Sequence, residues 1–123
     1  MSPVSYEKAG PPPATSGRDA HWDLCRNSLG IARLLANEGR PAVLIETACR
    51  MALESACRAA LAQAGIDFDG DLGRAVGQLA APEALFSLPA EASSAERLRA
   101  TERAVGWVAD RLRGQVPERS WGY

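Results

Sequence analysis

Apolar residues recur at three- and four-residue intervals from Trp22 to Leu112, and no stretch alternates in the two-residue rhythm of a strand. The first run, Trp22, Cys25, Leu29, Ala32, Leu35 and Ala36, traces one face of a helix that begins near Ser16 to Asp19. Leu24 and Ile31 widen that stripe, while Asp23, Arg26, Asn27, Arg33 and Asn37 fall on the other side. Gly39 and Pro41 end the helix at about Glu38. A second helix is predicted over 41–64, with Pro41 at its first position and Gly65 beyond its end. Its apolar face is Ile45, Ala48, Cys49, Ala52, Leu53, Ala56, Ala60 and Leu61. Glu46, Arg50, Glu54 and Arg58 stand four apart opposite it, in the order that favours ion pairs between turns.

After a loop over 66–70, a short helix is expected from Asp71 to Leu79, burying Leu72, Ala75, Val76 and Leu79. A further turn follows Pro82 and carries Leu85, Phe86 and Leu88, with Pro89 closing it. Ser93 and Glu96 form a capping box that opens the last helix. Its buried stripe is Leu98, Thr101, Val105, Val108 and Leu112, and Gly114 and Pro117 stop it. Short connections between long helices predict antiparallel neighbours. The expected fold is all-α: an up-and-down antiparallel bundle of three long helices plus one or two short ones. The bundle domain spans 18–114, between a disordered Pro-rich tail over 1–17 and a C-terminal tail over 115–123.

Composition agrees with that picture. Of the 123 residues 46% are hydrophobic but only 6% aromatic, too few for the aromatic and β-branched strands of a sandwich or barrel. Net charge is −1, and the arginines interleave with carboxylates, so no basic face marks a nucleic-acid partner. No run approaches the roughly 18 apolar residues of a membrane span. Glu7 and a proline run stand where a signal peptide would have its apolar core, so the expected location is cytoplasmic. The three cysteines, Cys25, Cys49 and Cys57, include no CxxC pair, and reduced buried thiols are expected. On one helix Cys49 and Cys57 would stand roughly 12 Å apart at 1.5 Å per residue, too far for a disulfide.

Candidate chemistry is sparse. His21 is the single histidine, and its neighbours Asp19 and Asp23 point to other sides of the helix, so it completes neither a metal site nor a triad. Asp67, Asp69 and Asp71 match the first three ligands of a calcium loop. The glycine position of that loop holds Leu72, however, and the closing glutamate position holds Gln78. Helix capping by Asp69 or Asp71 is the better reading. Gly70, Gly73 and Gly77 make no phosphate loop, because no GKS or GKT follows. No catalytic, cofactor-binding or metal residue is assigned, and no enzyme activity or cofactor is expected. Trp107, on the flank of the last helix, and Trp121 and Tyr123, in the C-terminal tail, are the candidate partner-binding residues.

The order of elements, with the second helix reading ACRMALESACRAALAQAG, Gly70-Asp71-Leu72 after it, and AERLRATERAVGWVADRL closing the chain, resembles the HEPN family of small helical-bundle proteins over about residues 19–113. The resemblance implies a dimer, a nucleotidyltransferase partner in a toxin–antitoxin pair and, in active members, metal-independent RNA cleavage by an R-x4–6-H motif. His21 would need arginine at 14, 15 or 16, where Ala14, Thr15 and Ser16 stand, so the resemblance implies a non-catalytic member. A homodimer is expected from the residues as well. The Ala-rich second helix offers more apolar face than short, glycine-weakened segments can cover, and such surface usually marks an interface. The expected function is a non-catalytic interaction or dimerisation module. An RNA- or nucleotide-acting protein and a ligand-binding bundle are the alternatives.

Overall fold

A computed structural model describes residues 13–87 and 91–113. Residues 1–12 of the tail expected over 1–17, the whole tail expected over 115–123 with Trp121 and Tyr123, and Gly114 lie outside the described residues, as do Leu88 and Pro89. All regular structure among the described residues is helical: α1 (Pro13–Asn37), α2 (Ala42–Gln63), α3 (Leu72–Gln78), a 3₁₀ turn (Glu83–Phe86) and α4 (Ser94–Leu112).

Helix α1 starts three to six residues earlier than the sequence suggests. Proline is tolerated in a first turn, where its missing N–H has no partner to lose, so Pro13 opens the helix and Ser16 falls inside its range. The other boundaries follow local chemistry. Gly39, at φ +68°, and Gly65, at φ +78°, take the left-handed conformation that closes α1 and α2. At Gly65 the Ile66 N–H donates to the Leu61 carbonyl at 2.8 Å and the Gly65 N–H to Ala62 at 3.1 Å, a Schellman cap. Asp71 caps α3 by accepting from the Arg74 N–H at 3.1 Å. Ser93 and Glu96 make both bonds of the capping box, at 3.1 and 2.8 Å. The Ser93 backbone N–H, and after it the Ser93 side chain, hold the Glu96 carboxyl below its usual range.

Helix α2 is central. It faces α1 along its length with Ala48, Ala52, Ser55 and Ala59, all buried, and meets α4 with Cys49, Ala56 and Ala60. The largest fully buried side chains are only Leu61, Leu79, Val108 and the three cysteines. In α1 the core takes Cys25, Leu29 and Ala32, and in α4 it takes Ala100, Thr101, Ala104, Val105 and Val108. The small residues Ala100 and Ala104 were not in the expected stripe, and the expected Leu98 and Leu112 are only half-buried at its margin.

The direction of α4 corrects the expected up-and-down antiparallel order. Arg18, near the start of α1, donates to Gln63 at the end of α2 at 2.8 Å, so these two helices run in opposite directions. Glu46 and Arg97 meet near the starts of α2 and α4, at 3.7 Å, and Gln63 donates to the Arg111 carbonyl near both ends, at 3.3 Å. Helices α2 and α4 therefore run side by side in the same direction. The physical reason is the intervening stretch over 64–93. With α3 and the 3₁₀ turn in it, it is long enough to carry the chain back along the ~33 Å of α2 before α4 begins.

The glutamate–arginine ladder expected on α2 is also corrected, since no ion pair links its members among the described residues. Glu46 turns to Arg97 on α4, and Arg58 lies over the Phe68 ring, 4.9 Å from its centroid. An exposed pair within one helix is worth a few tenths of a kcal/mol, so a neighbouring element readily redirects it.

Helix α3 ends differently from the other two. Ala80 stands at φ +56°, with its N–H donating to Gly77 at 3.1 Å and the Ala81 N–H donating to Val76 at 3.0 Å. This is the same left-handed cap built on a residue with a Cβ, at a cost of about 1 kcal/mol. Ala80 is exposed, so Ala80→Gly removes that strain without opening a cavity. Thermal denaturation is expected to show Tm rising by a few degrees, after the greater unfolded-state freedom of glycine offsets part of the gain. An unchanged or lower Tm would contradict the left-handed cap.

Candidate interaction surface

The apolar arc of α1 is wider than the core it serves. Leu24 and Ile31, seven residues apart, share one flank of the helix, with Leu34 beyond them. On α2, Leu44 and Met51 repeat the seven-residue step on the flank next to α1. These five side chains are between 42% and 56% exposed. They lie along the outer groove of the α1–α2 hairpin, on the side away from α4. Buried Ser28, Ala48 and Ser55 line the seam beneath them, and half-buried Leu35 adjoins it. Leu24 and Ile31 were expected to widen the buried stripe, but α1 turns its Cys25–Leu29–Ala32 line inward and leaves them on the rim.

The face is also poor in charge. Asn27, Thr47 and Glu54 border it, Arg58 beside it is engaged with Phe68, and Glu38 and Arg40 pair with each other at 3.2 Å at its loop end. Charges gather on the other flank of α1 instead. There Arg33 reaches Glu102 of α4 at 2.7 Å, and Arg26 and Asp23 face solvent. An apolar, nearly uncharged strip beside a fully polar flank is the pattern of an interface core, not of an ordinary solvated helix.

Of the residues singled out from sequence, Trp107 is half-buried against the core, with the Arg111 guanidinium 5.5 Å from its ring centroid. It packs against the core with part of its surface still exposed. His21 is half-buried beside a shallow concavity shared with Arg58, Asp67 and Phe68. Asp69 and Asp71 are used locally. Asp69 accepts from the Asp71 N–H at 2.9 Å and pairs with Arg74 at 2.7 Å. Among the described residues no group of three or more histidine, cysteine or acidic side chains is placed to hold a metal ion. No helix of the described residues is long and apolar enough to cross a membrane.

No family model, curated protein or solved structure matches the chain. The exposed strip on α1 and α2 was legible only as a seven-residue step in Leu24/Ile31 and Leu44/Met51. That signal is shared by every buried helix face, which is why periodicity alone assigned Leu24 and Ile31 to the core.

The cysteines form no second reactive site. All three are buried and unpaired. Burial pushes the Cys25 thiol up to about 11 and, with Cys25 and Glu54 adding to it, the Cys57 thiol up to about 12. Burial pushes Cys49 up as well. A thiol whose folded pKa exceeds its unfolded value leaves stability intact below the unfolded value, near 9, and removes it as pH rises toward the folded one. Urea denaturation is thus expected to show equal stability at neutral and mildly alkaline pH. Stability should then fall above pH 9, by on the order of 1 kcal/mol per thiol. Iodoacetamide at mildly alkaline pH should label none of the three until the protein unfolds. Rapid labelling of the native chain would contradict the burial.

Proposed function

We propose that this protein is a non-catalytic helical module that self-associates through the outer face of the α1–α2 hairpin. The observation that carries the reading is the exposed row of Leu24, Ile31, Leu34, Leu44 and Met51 on two adjacent helices. Its occupant is a second copy of the same chain. The charges at its border are of both signs, with Glu38 and Arg40 paired to each other, Glu54 between the turns of α2, and Arg58 engaged with Phe68, so no single-sign field opposes its own image. Two helices side by side, about 20 Å wide and ~33 Å long, present an area comparable to the 800 Å² per partner of a standard interface. A two-fold pair is the commonest closed arrangement. It would lay hairpin on hairpin, as four helices packed around the five rim side chains.

The resemblance to HEPN proteins points the same way, because it implies a dimer and a nucleotidyltransferase as a further partner. The RNA-acting reading gains less support. His21 has no arginine at the motif spacing, and Arg58, the arginine beside it in the concavity, lies over Phe68. Three buried, unpaired thiols favour a reducing, cytoplasmic setting.

Sedimentation equilibrium of the full chain at micromolar concentration is expected to give a dimer. Ile31→Asp and Met51→Asp should each give a monomer with an unchanged helical circular-dichroism spectrum, since both positions are exposed within one chain. A monomeric parent chain, or dimers that survive both substitutions, would remove the reading. Cleavage of RNA by the purified protein, lost in His21→Ala, would replace it with the RNA-acting one.

A further inference from the structure

On the side of the molecule away from that face, α2, α3, the 3₁₀ turn and α4 line a half-open cavity of about 210 Å³. It exists because α2 and α4 present small residues here, Cys49 and Ala100, while Leu72 and Phe86 lean across from α3 and the turn without filling the gap. Leu53 and Leu85 complete an apolar wall. At the rim stand Glu46, Arg50 and Arg97.

Arg97 is the unusual member. Its Nε is buried and has no hydrogen-bond acceptor. The carboxylate of Glu46 lies 3.7 Å away, inside ion-pair range but beyond a hydrogen bond. The Thr101 hydroxyl donates to the Arg97 backbone carbonyl at 2.8 Å. With Glu46 outside hydrogen-bond distance the guanidinium holds no close carboxylate, and an anionic oxygen is the best partner for its remaining donors. Two arginines against one glutamate leave the rim with one net positive charge. The wall behind it offers only hydrocarbon and an aromatic ring.

We propose that this cavity binds a small monocarboxylate with a short apolar tail, its carboxylate on Arg97 and its tail against Leu53, Leu72 and Phe86. The volume sets the size. At about 30 Å³ for each water-sized group it holds roughly seven heavy atoms, the size of a five-carbon acid and well below the span of a nucleotide. The terminal N–H groups of the Arg97 guanidinium, whose side chain lines the cavity, donate to the carboxylate. Glu46, now competing with the ligand for the same guanidinium, weakens binding by like-charge repulsion.

Titrating the full-length protein with pentanoate, followed by amide chemical shifts, tests the proposal. Saturable shifts are expected at Leu53, Leu72, Phe86 and Thr101 in the millimolar range that so few atoms can support. Arg97→Gln should weaken binding at least tenfold, and Glu46→Gln should tighten it severalfold. Pentan-1-ol, equal in length and uncharged, should bind at least tenfold more weakly than pentanoate. Absence of saturable shifts at tens of millimolar would overturn the proposal. So would equal binding of acid and alcohol, or wild-type binding by a folded Arg97→Gln variant. The alcohol comparison and Glu46→Gln decide the matter on their own if Arg97→Gln does not fold.

Discussion

The close approach of α1 and α2 governs the rest of this structure. Their seam is built from Ser28 and Ala32 on one side and Ala48, Ala52, Ser55 and Ala59 on the other, all buried. Side chains this small let two helix axes come near the short end of the usual 8–10 Å separation. They also leave little depth for large residues. The leucines, the isoleucine and the methionine that flank the seam cannot enter it, so Leu24, Ile31, Leu44 and Met51 remain on its outer rim. A thin core and an exposed apolar margin are two results of one choice of side chains.

On the opposite side of α2 the same small surface had to be covered from elsewhere. The stretch over 64–93 does this by returning along α2. It inserts Ala75 and Leu79 against Cys57 and Leu61, and sets Phe86 at the margin. That return is also what makes α4 parallel to α2. The covering is incomplete where Cys49 and Ala100 face each other, and the cavity beside Arg97 is the space left over. The two faces of α2 thus end differently. One is closed within the chain around a small void, and the other is left apolar and open.

Polar groups hold the far end of the bundle together. Arg18 donates to Gln63, Gln63 donates to the Arg111 carbonyl, and the Arg111 guanidinium donates at 2.6 Å to the carbonyl of Leu79. That carbonyl belongs to the last turn of α3, where no helical N–H follows to satisfy it. The chain of bonds links the ends of four helices, and Trp107 under Arg111 shields part of it. Its contribution lies in fixing how the helices meet, since exposed charged contacts add little to stability.

The sequence by itself determined most of the helix ends, though not the start of α1, and the centre of each inward face. Gly39, Gly65, Asp71 and the Ser93–Glu96 box act through bonds within a few residues, so their effect is local and readable. Cys25, Leu29, Ile45, Ala52, Val105 and Val108 are buried because each lies at the centre of its helix's apolar arc, whatever the helix meets. The tertiary structure alone decided what lies at the edges of those arcs. Leu24, Ile31 and Leu98 sit at margins where burial depends on the position of the next helix. Glu46 pairs with Arg97 rather than Arg50 because α4 runs beside α2. Ala80 takes a left-handed conformation that its residue type disfavours because the chain must turn there to bring Phe86 onto the core. In each case an interaction worth about 1 kcal/mol or less in isolation yields to the larger burial of apolar surface between helices, and that burial is set by packing between segments far apart in the chain.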